Sequence, residues 1–160
     1  MKLSKLVHVI PVSNNIVALY HSINIKTVFV SSKFLGHLDV LDKNNASAHR
    51  SLGRLQAVKG DLKSAEQSYL KFLALERTNI NAYLELAEVY LQLEEAPKAF
   101  ALADQASGLE PANPKVLDFL IEVSIITRDR QAALKAWRLL HEVNPENQKL
   151  DEFKERIDKL

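Results

Sequence analysis

The chain of 160 residues contains no cysteine, one methionine, one tryptophan and four glycines. Without cysteine it can form no disulfide framework, no thiolate nucleophile, and no cysteine-ligated zinc or iron–sulfur centre of its own. Its glycines, at 36, 53, 60 and 108, are scattered, so no glycine-rich loop is available to cradle a phosphate, and no G-x-S-x-G nucleophile elbow occurs. The five histidines, at 8, 21, 37, 49 and 141, include no pair spaced i, i+4 and no H-E-x-x-H. Neither a metal site nor a cofactor is therefore expected. Lys and Arg number 21 against 20 Asp and Glu, a net charge of +1, so no overall field recruits nucleic acid or an anionic membrane. No stretch reaches the roughly 18 consecutive apolar residues of a membrane-spanning helix. Lys2 and Lys5 precede Leu6, Val7, Val9 and Ile10 in the manner of a secretory signal, but His8 interrupts that run, Pro11 ends it, and no small-residue cleavage site follows. The expectation is a cytosolic, non-catalytic protein.

What is present is a folded composition, 47% apolar and 26% charged, with an internal asymmetry. Residues 1–43 carry five Lys against two Asp, whereas residues 44–160 are slightly acidic. Within the second part the sequence repeats itself at an offset of 34, superimposing Ser47–Leu75, Asn81–Leu109 and Lys115–Val143. Down the three copies the fourth position reads His49, Tyr83, Leu117; the seventh Leu52, Leu86, Leu120; the eighth Gly53, Ala87, Ile121. The twentieth reads Ala65, Ala99, Ala133; the twenty-fourth Tyr69, Ala103, Trp137; the thirtieth Leu75, Leu109, Val143; the thirty-second Arg77, Pro111, Pro145. Phase, length and residue type agree three times over.

These columns resemble the tetratricopeptide repeat. The resemblance implies a mainly α protein, an α-solenoid of three helix-turn-helix units over residues 44–145, divided at about 46–79, 80–113 and 114–147. Small residues at the eighth and twentieth positions then let the two helices of a unit approach closely, with larger side chains on the flanks. Pro111 and Pro145 cannot continue a second helix. Gly60-Asp61 supplies the turn within the first unit, replaced by Glu94-Glu95 and Arg128-Asp129. Arg77 departs from the pattern where proline is usual, Ile121 where a small residue is usual, and Gln56 and Ser124 where an aromatic is common. Ile121 is expected to widen its helix crossing unless Ser124 gives up the volume. Residues 146–160, with Leu150, Phe153, Ile157 and Leu160 on one stripe, read as an amphipathic helix capping the stack.

Residues 1–43 show a different period. Leu6–Val12 and Ile16–His21 flank Ser13-Asn14-Asn15, a turn signal, and Lys26–Ser31 adds a third β-prone run, which predicts a small β-meander. Phe34, Leu35, Leu38 and Leu41 then predict a short helix over 33–41. The strand and turn order, with Pro11, Val17–Ser22 and Lys26–Val30, is also similar to the leading strands of radical-SAM peptide maturases and their peptide-recognition elements. That likeness implies an accessory protein using edge strands to bind a precursor peptide; the bland alternative is a cap on the repeats. An exposed strand edge would also leave self-association into a homo-oligomer open.

In tetratricopeptide proteins the first helix of each unit lines a concave groove through its second, fifth, sixth and ninth positions. On this chain the resemblance places Ser47, Arg50, Ser51 and Arg54 there from the first copy. Asn81, Leu84, Glu85 and Glu88 follow from the second, and Lys115, Asp118, Phe119 and Glu122 from the third. Arg50 and Arg54 make a basic end; Glu85, Glu88, Asp118 and Glu122 make an acidic floor, with Leu91, Ile125 and Ile126 adding apolar surface. Family members that grip a chaperone's C-terminal carboxylate do so with basic and asparagine side chains. Only Arg50 and Lys115 fit that pattern here, and Arg54, Glu85 and Phe119 depart from it. The expected partner is instead a peptide or protein carrying Lys or Arg, bound by an adaptor or scaffold.

Overall fold

The computed structural model describes residues 45–160, and the meander, short helix and maturase-like strands expected before them lie outside the described residues. Seven helices follow in order: α1 (Ala46–Val58), α2 (Leu62–Leu75), α3 (Ile80–Gln92), α4 (Ala96–Leu109), α5 (Pro114–Ile126), α6 (Arg130–Val143) and α7 (Leu150–Asp158). Helices α1, α3 and α5 begin 34 residues apart, as do α2, α4 and α6. No strand occurs among the described residues.

The local causes of these elements recur with the same period. Asn45, Asn79 and Asn113 precede the three first helices in extended conformation, and each side-chain oxygen accepts from a backbone N–H of the first turn. Asp61 and Asp129 do the same for α2 and α6, whereas Glu95 makes no such bond and α4 has Pro97 in its first turn instead. Each first helix ends in a left-handed residue, Gly60 at φ 79°, Glu94 at 61° and Arg128 at 58°. The next N–H then donates back to the helix: Asp61 to the Gln56 carbonyl at 2.9 Å, Glu95 to Tyr90 and Asp129 to Ser124 at 2.8 Å each. This six-to-one closure satisfies carbonyls at the helix end and reverses the chain.

Packing follows from the small columns. Ala65, Ala99 and Ala133 are fully buried, facing first helices whose eighth residues are Gly53, Ala87 and Ile121. Gly53 is needed for contact as much as for size: a β-carbon there would stand 3.1 Å from the Tyr69 ring. Ile121 and Ser124 are both fully buried, and the Ser124 hydroxyl donates to the Leu120 carbonyl at 2.6 Å, so the polar group is satisfied inside its own helix. The helices form two layers, α1, α3, α5 and α2, α4, α6, each unit packing on the next. Helix α7 lies on α6 and α5 with Leu150, Phe153 and Ile157 buried, each removing apolar surface worth about 2 kcal/mol from water. Trp137 Nε1 donates to the Leu150 carbonyl at 2.8 Å and ties that helix to α6.

The left-handed turns generate a prediction. Glu94 and Arg128 carry side chains in a conformation that glycine adopts without steric cost, so Glu94→Gly and Arg128→Gly should each stabilise the chain by about 1 kcal/mol, while Gly60→Ala should destabilise it similarly. Urea unfolding midpoints measure all three; loss of stability in both glycine variants would contradict the turn assignment.

Candidate binding groove

The outer face of the α1–α3–α5 layer carries the side chains that the register assigns to a groove, and the structure joins them into rungs. Arg50 donates from Nε to Glu85 Oε2 at 3.1 Å and from Nη2 to Oε1 at 2.7 Å, a two-pronged pair from α1 to α3. Arg54, one turn on, donates to the same Glu85 Oε1. Lys115 Nζ donates to Asn81 Oδ1 at 2.9 Å, linking α5 to α3. Asn147 Nδ2 donates to Asp118 Oδ1 at 2.8 Å, and Lys149 Nζ reaches Glu122 at 3.2 Å and Asp118 at 3.9 Å.

These rungs correct the expected separation of a basic end from an acidic floor. Arg50 and Arg54 point along the stack onto Glu85, so that carboxylate is neutralised by two guanidinium groups. The reason is distance: residues offset by 31 and 35 on parallel neighbouring helices of a 34-residue repeat face one another, which the columns alone do not reveal. Leu84 is corrected as well. It is 2% exposed and shares an apolar cluster with Ile80, Ala106 and Val116 rather than facing solvent. Phe119 is half-buried against both apolar clusters, Leu91 and Ile125 are half-buried, and Ile126 is 52% exposed.

Glu88 stands apart. Among the described residues it has no ion pair, whereas Glu85, Asp118 and Glu122 each have a basic partner. Burial raises its pKa above the ordinary carboxylate range, the charges of Glu85 and Glu122 raise it further, and Lys115 opposes them. For Glu85 burial also disfavours ionisation, but the hydrogen bonds and charges of Arg50 and Arg54 outweigh it and hold the carboxyl below its usual value. No group of three or more acidic or histidine side chains is arranged to hold a metal among the described residues. No helix among them is long and apolar enough to cross a membrane.

Asn147 and Lys149 belong to the groove although the columns were read only to the third copy. Extending the register one more period finds Lys149 in the column of Ser47, Asn81 and Lys115, and Asn147 in the column of the capping Asn45, Asn79 and Asn113. A second inter-repeat cluster lies between α2 and α3: the Tyr90 hydroxyl donates to Glu66 at 2.9 Å, and Lys63 Nζ lies 3.4 Å from Glu66 and 3.2 Å from Glu95. Burial and the Glu66 hydrogen bond push the Tyr90 hydroxyl up to about 12.

The Glu85 clamp sets a pH dependence. Because its folded pKa is depressed, its contribution is present above the unfolded value and lost as pH falls through the folded one. Glu85→Gln should therefore cost roughly 1 kcal/mol at pH 7, a magnitude held down by partial exposure of the arginines. The difference from the unsubstituted chain should begin to shrink at about pH 4, the ordinary glutamate range, and be gone only at a low pH beneath the depressed folded value. Chemical unfolding at the two pH values checks this; an unchanged gap at low pH would refute it.

No protein-family model matches the chain. Among solved structures, MamA is 18% identical with a TM-score of 0.70, the match covering 82% of this chain and 83% of that one. A tetratricopeptide repeat protein from Parabacteroides merdae is 20% identical with a TM-score of 0.77 over 82% of this chain and 53% of that one. The first TPR of Spaghetti (RPAP3), bound to the HSP90 peptide SRMEEVD, is 18% identical with a TM-score of 0.65 over 74% of this chain and 94% of that one. At these identities the likeness is one of fold, and the fold is a tetratricopeptide-like helical solenoid.

Proposed function

We propose that the chain is a non-catalytic adaptor whose α1–α3–α5 face binds a peptide or protein segment carrying a Lys or Arg side chain. The observation that carries this reading is Glu88: among the described residues a solvent-exposed groove carboxylate without an ion pair, between Glu85 and Glu122, which have theirs. A ligand ammonium or guanidinium placed there relieves the repulsion that the fold leaves in place. Ile126 and the half-buried Phe119 and Ile125 add apolar surface on the neighbouring helix α5. The remaining named residues act around that point. Arg50 and Arg54 hold Glu85, Lys115 holds Asn81, and Lys149 screens Asp118 and Glu122, which directs the cationic group toward Glu88.

The rungs argue against an acidic ligand of the kind present in the RPAP3 structure. Arg50 and Arg54 are engaged by Glu85, so a ligand carboxylate would have to displace an internal one and approach Glu88. Cytosolic placement, and a part for residues 1–43 either in capping the repeats or in binding a precursor peptide, belong to this same reading as proposals. The groove alone needs neither.

Isothermal titration with an extended lysine-containing peptide, an alanine-substituted version and an acid-terminated one tests the ligand class. Glu88→Lys should weaken the lysine peptide at least tenfold, whereas Asp104→Lys, on the opposite layer, should not. Equal binding of all three peptides, or insensitivity to Glu88→Lys, would overturn the reading. Affinity for the lysine peptide should also fall as pH drops toward the Glu88 pKa, starting above the ordinary carboxylate range, because only the ionised form attracts the cation. Titrations at pH 7, 6 and 5 measure that onset, and a pH-independent affinity would exclude Glu88 as the contact.

A further inference from the structure

Lys115 and Lys149 leave the backbone at the same place in successive units and take different partners. They stand 34 residues apart, each two positions after an asparagine whose side-chain oxygen accepts from the lysine's own N–H, at 3.0 Å for Asn113 and 2.9 Å for Asn147. Lys149 Nζ then reaches Glu122 at 3.2 Å and Asp118 at 3.9 Å. The residue that stands to Lys115 as Glu122 stands to Lys149, 27 positions earlier, is Glu88. Lys115 Nζ donates instead to Asn81 Oδ1 at 2.9 Å.

The columns supply the cause. Asn81 falls in the column of Lys115 itself, so Lys115 meets an amide oxygen on α3, whereas the residue in that place for Lys149 is Lys115, an ammonium with no acceptor. Asp118, which also draws Lys149, falls in the column of Leu84, and Leu84 is buried among apolar side chains. At an exposed site an ion pair gains little over a hydrogen bond, so one amide oxygen is enough to decide where an ammonium rests. Lys115 is exposed and Asn81 half-buried. The ammonium nevertheless stays within electrostatic range of Glu88: burial and the charge of Glu85 raise that carboxyl's pKa, and Lys115 opposes them from where it is held. Between α1 and α3 the arrangement does not recur, because Arg54 occupies the column of Glu88 and Asn81 that of Lys115.

We propose that Asn81 is a positioning residue of the Glu88 site: its amide oxygen holds Lys115 aside, and Lys115 released from it closes on Glu88 as Lys149 closes on Glu122, in competition with the cation of a ligand. The inference rests on the reading of Glu88 as the cation contact and adds the regulation of that contact. The groove then has two settings separated by rotation of one side chain. With Lys115 on Asn81, Glu88 is open to a ligand ammonium or guanidinium. With Lys115 on Glu88, the carboxylate is already neutralised and the ligand has an internal cation to displace.

Carbon-detected NMR titration of the Glu88 carboxyl in the full chain tests this latch without any ligand. Asn81→Ala should lower the pH at which Glu88 titrates, because Lys115 is freed to pair with it. Adding Lys115→Gln to that variant should bring the titration back to or above its position in the unsubstituted chain. Neither change removes a capping contact, since Asn79 caps α3 and Asn113 caps α5. A Glu88 titration that stays or rises in Asn81→Ala, or one whose lowering persists in the double variant, overturns the latch. Isothermal titration with the lysine-containing peptide at pH 7 gives a second readout. Affinity should fall about threefold in Asn81→Ala, as competition from an exposed pair dictates, and return to at least the unsubstituted level in the double variant. If the peptide binds none of the chains while Glu88 titrates as stated, the ligand reading fails and the latch stands. Equal affinity for all three chains with an unmoved Glu88 titration overturns the latch and leaves the ligand reading in place.

Discussion

The structure depends on the close approach of the two helices within each unit. Gly53 admits the Tyr69 ring so closely that a β-carbon there would force the ring to shift by a few tenths of an ångström, and Ala65, Ala99 and Ala133 leave the crossings without protruding volume. Only when the pair is this close do both helices present a common apolar face to the next pair. A unit cannot bury that face alone, so stability is a property of neighbours in contact, and α7 closes the last face with Leu150, Phe153 and Ile157.

On that frame several polar residues act between units. Arg50 and Arg54 reach from α1 to α3, Lys115 from α5 to α3, and Asn147 and Lys149 from the last connection to α5. Between α2 and α3, Tyr90 and Lys63 meet Glu66. Such bonds are individually modest because most of their groups are partly exposed, but together they favour a single rotation of each unit on the next. They also consume most of the charge on the groove face. In the proposed reading, recognition there falls to Glu88, the groove carboxylate that has no ion pair among the described residues.

Much of the fold was legible in the residues. Repetition of small and large residues every 34 positions announced paired helices, and the stripe of Leu150, Phe153 and Ile157 announced the closing helix. The turns were legible in part: Gly60 signals a left-handed residue, but Glu94 and Arg128 do not, since there the demand comes from the closing hydrogen bonds and not from the side chain. For the groove, the column assignment brought Arg50, Arg54, Asn81, Glu85, Glu88, Lys115, Asp118, Phe119 and Glu122 to one layer, yet it left their pairing unread and miscast Leu84 as a lining residue.

By itself the sequence determined the paired helices, the turns between them and which columns are small, because these follow from contacts within a few residues or from a period visible by inspection. Tertiary structure alone decided which arginine meets which glutamate, that Leu84 turns inward and that Glu88 has no ion pair among the described residues. Those outcomes depend on the rotation and spacing of one unit on the next, set by the summed packing of many side chains and carried by no single position.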